Sequence, residues 1–451
     1  MAGSPLRRFG FFAMLALVFI RMSMVHEALA AQLGVNLYLL YLFGPPAILC
    51  AVLAGDSGRL LRSRPALLWL AFVFWMILAT PFSSWTGGSL AHVMSYSRTE
   101  LPMLLVTAAL IATWDECLLF MGTMALACLA TLVIGKVFMQ VIDGRVTLEM
   151  GSSISNSNDF AAHLILLLSF LVYYGIRPKA RPITRLAVFG IICYGVFLIL
   201  GTASRGAELG IAAIGLFVLA RVSVPKKLMI CFLGATAAAA LVAVLPSQTL
   251  LRLSALSADS GHLEAVDSME DRRYLLIKSL EYTAQRPLFG VGPGQFSSFE
   301  GAMSRLAGLH GNWHETHNAY TQISSECGIP AMIFYLAALI ATFRSVSKIY
   351  RETKDRPELG DISSAAFTIM IAMTGFMVAT FFLAFGYKLY QPSIVGFVAA
   401  FTAVVPLEIS ARTVSSVVPS VVPSVVAAIV PPSFARRKAN PLLSPVRPRQ
   451  R

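Results

Sequence analysis

The stretch ETHNAYTQISSECGIPAMIFYLAAL, residues 315–339, begins with charged and amide side chains and then becomes too apolar for a water-exposed surface. An apolar helix of about 20 residues crosses a hydrocarbon layer about 30 Å thick. A helix also satisfies its backbone hydrogen bonds within one segment, as lipid requires. The stretch therefore predicts a membrane-spanning helix with polar side chains at its mouth.

The rest of the chain has the same character, with 57% hydrophobic and 13% charged residues among 451. Its mean hydropathy is +0.71. So little charge cannot cover a soluble globule of this size, and alternating barrel strands are not seen. We predict an all-α polytopic membrane protein. Windows of about 19 residues predict about twelve spans, near residues 9–28, 33–54, 66–82, 98–113, 117–141, 157–175, 185–202, 206–221, 227–246, 317–343, 361–385 and 389–408.

Basic residues occupy alternate gaps between these spans, although the formal net charge is +13. They form no continuous patch, so nucleic acid is not a predicted partner. Because cytoplasmic loops carry the excess of Lys and Arg, both termini are expected inside and the other gaps outside. The basic gaps contain Arg7 and Arg8; Arg59, Arg62 and Arg64; Arg177 to Arg185; Arg221 to Lys227; Arg344 to Arg356; and the tail from Arg436.

Four regions follow from this plan. Residues 1–246 form an amino-terminal bundle of about nine helices, 247–316 a large outer loop, and 317–408 about three further helices. Residues 409–451 form a proline-rich, basic cytoplasmic tail, in which SVVPSVVPSVV (416–426) predicts that no helix continues. The first apolar segment resembles a signal sequence, but Arg21, His26 and Glu27 interrupt that pattern, and we expect a retained helix. Six cysteines without paired spacing indicate neither disulfides nor zinc.

The outer loop contains a predicted helix at 269–285, ended by Pro287, and then the glycine-rich segment PLFGVGPGQF (287–296). Gln295 stands where a dinucleotide-binding fingerprint needs its third glycine, so nucleotide binding is not predicted. Gly292 and Gly294 form either a structural turn or part of a glycan or diphosphate site.

Three arginines are candidate ligands for phosphate. Arg205, in LGTASRGAELG (200–210), lies at the outward end of two adjacent spans, where basic anchors are unusual. Arg272 and Arg273 lie on the outer-loop helix. A guanidinium group binds phosphate oxygens bidentately, although exposed arginines are often only solvated.

His317 lies directly before a span, where its imidazole is placed to act as a general base on a lipid-linked substrate. His310, His314 and Glu315 raise a metal alternative, which Gly308 and Gly311 disfavour because they interrupt a regular helix.

Amide and carboxylate groups surround these candidates. Asn158 and Asp159, in GSSISNSNDFAAH (151–163), either cap a helix or bind sugar hydroxyls. Asn318, Gln322 and Glu326 are predicted to orient His317 or the sugar. Glu326 has a second interpretation, as a partner for groups inside the bundle.

Several of these motifs together resemble the O-antigen ligase family, which includes related O-antigen polymerases. They are SRGAELG, DRRYLL, PLFGVGPGQF and THNAYTQISSECGIPAMIFYL. His317, Asn318 and Gly328 match the family's carboxyl-terminal motif, whereas Ala331 departs from it. Arg272 with Leu276 matches the family's loop arginine better than Arg273 does. The resemblance covers about residues 151–339.

The resemblance implies a membrane-embedded glycosyltransferase of the C type at the periplasmic face of the bacterial inner (plasma) membrane, active in polysaccharide and lipopolysaccharide biosynthesis in the cell envelope. Its expected donor is a glycan on undecaprenyl diphosphate, and its acceptor the lipid A-core or another saccharide. His317, Arg272 and Arg205 are the expected catalytic residues, with no metal and no cofactor. Membrane lipids and other polysaccharide-assembly proteins are expected partners. Polymerisation of lipid-linked repeat units and membrane transport remain alternatives.

Overall fold

The computed structural model describes residues 4–142, 145–148, 154, 156–244, 263–308 and 313–429. It divides into two units, Met1–Val405 and Pro406–Arg451. Part of the predicted outer loop, together with His310, Gly311 and the end of the basic tail, lies outside the described residues.

The described chain is almost entirely helical. The first nine helices are α1 Pro5–Ser23, α2 Val25–Leu33, α3 Leu39–Leu53, α4 Arg59–Arg62, α5 Arg64–Ala79, α6 Thr86–Thr99, α7 Leu101–Leu110, α8 Trp114–Phe138 and α9 Ser157–Ile176. They are followed by α10 Pro182–Gly201, α11 Arg205–Arg221, α12 Val224–Val244, α13 Leu263–Gln285, α14 Phe296–Leu306, α15 Ala319–Thr353, α16 Gly360–Ala379 and α17 Tyr390–Ile429.

The predicted membrane fold is confirmed. Among the described residues, seven helices are long and apolar enough to cross a membrane. The number rises to eight if α1 and α2, which meet at a 66° bend, form one span. Length and composition do not decide whether the chain has the predicted twelve spans. Two of the helices at predicted spans, α3 and α11, have only 15 and 17 residues.

A β-hairpin that the sequence analysis did not predict follows α8. Its strands are β1 Met139–Ile142 and β2 Arg145–Leu148, paired antiparallel with Ile142 opposite Arg145. The β-branched residues Val141, Ile142, Val146 and Thr147 favour this local structure.

The prediction that no helix continues through residues 416–426 is wrong. Helix α17 extends to Ile429 and includes Pro419 and Pro423.

Helix α15 is broken at Gly328, whose backbone is left-handed at φ 84° and ψ 172°. The carbonyls of Ser325 and Glu326, at the end of the first half, accept hydrogen bonds from the N–H groups of Val291 (2.8 Å) and Gly292 (2.9 Å). After the break, the N–H of Ile329 donates to the Pro287 carbonyl at 2.8 Å. The glycine-rich segment thus supplies the partners that the interrupted helix lacks.

An aromatic cluster holds the second half of α15 against α5. The rings of Trp69 and Phe72 lie 5.3 and 5.5 Å from that of Tyr335, centroid to centroid. All three side chains are fully buried. Such pairs contribute about 0.5–1.5 kcal/mol each beyond the area that they bury. This packing holds the part of α15 that follows the break in place against α5.

We expect Gly328→Ala to destabilise the protein by about 2 kcal/mol or more, since a left-handed backbone costs alanine about 1–2 kcal/mol and the new methyl group has no room. Its Cβ would overlap with the Leu288 carbonyl. Thermal unfolding in detergent measures the loss. Gly190→Ala is the control, because Gly190 lies in α10 with open space at its Cβ position. Equal midpoints for the two variants would contradict the packing at the break.

Candidate active site

A cavity of about 410 Å³ lies where several helix ends meet. All of the lining residues belong to, or lie beside, gaps that the charge pattern assigns to the outward side. They are Arg145, Asn158, Ala203, Arg205, Leu209, Arg272, Arg273, Leu276, Thr316, His317, Asn318, Phe381 and Phe382. The structure therefore brings together six of the eleven predicted site residues, including the three predicted catalytic ones.

Three helices begin at this cavity. Asn158 lies in the first turn of α9, Arg205 is the first residue of α11, and Asn318 is the cap of α15. A helix amino terminus carries partial positive charge, so it attracts anions. With the guanidinium groups, these ends form a positive surface suited to phosphate.

Arg272 and Arg205 lie close enough to affect each other. Burial, followed by the charge of Arg205, lowers the pKa of Arg272. Arginine nevertheless remains protonated at neutral pH. A bound anion would offset the repulsion between the two guanidinium groups.

His317 sits beside these cations in a constrained conformation. Burial, and next the charge of Arg272, lowers its pKa to about 4. Its imidazole is therefore neutral at pH 7 and able to accept a proton. Its φ is +50°, and Ala203, which also lines the cavity, has φ +51°. Left-handed backbone at residues other than glycine is strained and occurs often at functional sites.

Asn318 fixes the position of this histidine. Its Oδ1 accepts hydrogen bonds from the N–H groups of Tyr320 (2.9 Å) and Thr321 (3.1 Å), which caps α15. The hydroxyl of Thr316 donates to the Asn318 carbonyl at 3.1 Å. Bonds on both sides of His317 thus hold the turn that presents its side chain.

Comparison with known proteins identifies the segment that carries most of this cavity. Residues 190–336 match the family model described as O-antigen ligase. Over this segment the chain is therefore similar to the O-antigen ligase family. The match covers about a third of the chain and includes Arg205, Arg272, Arg273 and His317. No curated protein matches the chain.

Arg145 lines the cavity from outside the O-antigen ligase segment, and the sequence analysis missed it. Its Nε donates to the Thr202 carbonyl at 3.0 Å, and its Nη2 donates to Asn158 Oδ1 at 2.9 Å. Arg145 has the same sequence feature that singled out Arg205, because it is an arginine in a gap assigned to the outward side.

Five predicted substrate-binding residues do not line the cavity. Glu326 accepts from the N–H groups of Gly294 (2.8 Å) and Phe296 (3.2 Å), so its carboxylate holds the glycine-rich segment. Gln322 Oε1 accepts from Gly386 N–H at 3.1 Å. These bonds favour structural roles, and the cavity gives no support to substrate binding by this group, which comprises Gln322, Glu326, Gly292, Gly294 and Asp159.

The metal alternative also lacks support in the part of the chain that the structure describes. No group of three His, Cys, Asp or Glu side chains there is arranged to hold a metal ion. His310, one member of the predicted cluster, lies outside that part.

A buried carboxylate joins the two outer-loop helices of the ligase segment. Glu300 on α14 is 2% exposed. It accepts hydrogen bonds from the hydroxyls of Tyr274 (2.6 Å), Tyr282 and Ser304 (2.9 Å). Tyr274 and Tyr282 belong to α13, which also carries Arg272. Glu300 therefore fixes the helix that presents this arginine.

The low pKa predicts how His317 reacts with diethyl pyrocarbonate, which modifies only the neutral imidazole. Modification, followed by peptide mass spectrometry, should keep its full rate down to about pH 5 and fall by half near the lowered pKa. Arg272→Gln should move this midpoint upward, because it removes a neighbouring positive charge. A wild-type midpoint near the ordinary value of about 6.5 would contradict the described environment.

Glu300→Ala should destabilise the protein by about 2–3 kcal/mol, because the hydroxyls of the buried Tyr282 and the more exposed Tyr274 lose their acceptor. Glu300→Gln keeps one acceptor oxygen and should lose less. The control is Glu281→Ala, since Glu281 is partly exposed and pairs with Lys278 at 2.9 Å. Such a pair contributes about 1 kcal/mol at most. If unfolding midpoints for Glu300→Ala and Glu281→Ala agree, Glu300 does not join the helices.

Proposed function

We propose that this protein transfers a glycan from undecaprenyl diphosphate to a hydroxyl of lipid A-core or another saccharide, at the periplasmic face of the bacterial inner membrane. The match of residues 190–336 to the O-antigen ligase family model supports a glycosyltransferase of the ligase or polymerase type. The observation that carries the finer proposal is the meeting of Arg205, Arg272 and His317 at one cavity.

The cavity has complementary chemistry for a lipid diphosphate. Arg205 and Arg272 supply guanidinium groups for the phosphate oxygens, near helix amino termini. Leu209, Leu276, Phe381 and Phe382 line other parts of the same wall. These apolar side chains suit the first isoprene units of the carrier.

In the proposed reaction, an acceptor hydroxyl attacks the anomeric carbon of the donor glycan. The bond between that carbon and the diphosphate oxygen breaks, and its electron pair stays on the diphosphate. His317 takes the proton of the acceptor hydroxyl, which its neutral imidazole allows. Arg205 and Arg272 stabilise the charge that grows on the leaving group.

Arg272 suits the diphosphate site better than Arg273 does. Arg272 is partly buried, the charge of Arg205 contributes to lowering its pKa, and its own charge contributes to lowering the pKa of His317, which supports its choice. Arg273 lines the same cavity but is exposed. A guanidinium shielded from water interacts more strongly with phosphate.

We expect transfer to be independent of divalent metal, since guanidinium groups occupy the place where a metal would otherwise neutralise the diphosphate. Purified protein, freed of metal with a chelator, should keep full turnover on a labelled lipid-linked glycan. Activity restored only by added magnesium would contradict this expectation.

The same assay separates ligation from polymerisation. With lipid A-core present, a ligase moves the label onto the core. A polymerase lengthens the lipid-linked glycan without any core. Both reactions need the same donor site, so the acceptor decides between them. We expect the labelled core product. Chain growth without core would assign the protein as a polymerase.

His317→Ala should lower the transfer rate by about 10²- to 10⁴-fold, because the acceptor loses its general base. Arg205→Lys and Arg272→Lys should also lower it strongly, since an ammonium group cannot replace bidentate contacts. Arg273→Lys is the matched control and should lose little. Activity is measured at equal amounts of folded protein. An inactive Arg273→Lys beside an active Arg272→Lys would reverse the assignment.

A further inference from the structure

The β-hairpin contributes a side chain to the cavity although it lies before the segment that matches the O-antigen ligase family. Arg145 is the first residue of β2 and lines the same cavity as Arg205 and Arg272. Nothing in the family match accounts for this residue, because the match begins at residue 190.

Hydrogen bonds to two other elements fix the plane of the Arg145 guanidinium. Its Nε donates to the carbonyl of Thr202, which follows α10, and its Nη2 donates to Asn158, in the first turn of α9. The side chain thus joins the hairpin to two other elements of the cavity wall. A guanidinium held in this way is oriented before a ligand binds.

The charge balance of the proposed reaction indicates what this group does. A glycosyl lipid diphosphate carries about two negative charges. When the bond to the glycan breaks, the electron pair adds a third negative charge to the diphosphate. A further cation in the cavity therefore matches the leaving group better than the intact donor.

We propose that Arg145 is a third diphosphate-binding residue, which stabilises the charge that the leaving group gains during transfer. This inference rests on the proposed function, because it takes the lipid diphosphate as the donor. It assigns to the hairpin, outside the family segment, a direct part in the reaction.

Steady-state kinetics of the full chain tests this role. Arg145→Gln should lower kcat by about 10²- to 10³-fold with little change in KM for the donor, because the charge that it stabilises forms only during transfer. Arg145→Lys keeps the charge and should recover part of the loss. Arg98→Gln, which changes an exposed arginine in α6, should leave kcat unchanged.

Asn158→Ala distinguishes binding from positioning, because it removes one bond that orients Arg145 but leaves the cation in place. A loss much smaller than that of Arg145→Gln supports direct binding of the leaving group. Equal losses in kcat, with equal falls in unfolding midpoint, would overturn the proposal and leave Arg145 a structural tie.

Binding of inorganic diphosphate to the detergent-solubilised protein tests the site without turnover. Arg145→Gln should weaken this binding by about 10- to 100-fold, the effect of one charge-assisted hydrogen bond. Unchanged affinity would overturn the proposal for Arg145. If wild-type protein transfers no glycan but loses diphosphate affinity through Arg145→Gln, the proposed function fails and the anion site remains.

Discussion

The closeness of two guanidinium groups in a partly buried cavity is the constraint on which this account depends. Arg205 and Arg272 come from helices far apart in the chain, and the charge of one lowers the pKa of the other. Keeping like charges together out of bulk water costs free energy, so the fold must hold them. Hydrogen bonds at Arg145 and around His317 hold parts of the cavity wall in place.

The supports around the cavity form a connected set. Glu300 fixes α13 and thereby Arg272, Asn318 caps α15 beside His317, and Arg145 ties the hairpin to α9 and the end of α10. Glu326 holds the glycine-rich segment against the break in α15. A cationic site of this kind is already oriented when an anionic substrate arrives, which lowers the cost of binding.

Sequence patterns predicted the membrane fold and the main members of the cavity because those depend on hydropathy and charge along the chain. Arg205, Arg272 and His317 lie far apart in sequence, yet each falls in a gap assigned to the outward side. The hairpin escaped prediction because its strands have four residues each and directly follow a long apolar helix. Glu326 shows a different limit, since a carboxylate within a predicted span has the same sequence signal whether it meets a sugar or accepts hydrogen bonds from a backbone turn.

The account is tested most directly by an experimental structure of the protein with undecaprenyl diphosphate bound. It predicts both phosphorus atoms within about 5 Å of the guanidinium carbons of Arg205 and Arg272, the distance of bidentate contacts. It also predicts that the His317 imidazole lies beyond the terminal phosphate, where the acceptor hydroxyl approaches the anomeric carbon of a bound donor, and not against the diphosphate oxygen itself. A diphosphate bound elsewhere, or an imidazole remote from the acceptor side, would contradict the central claim.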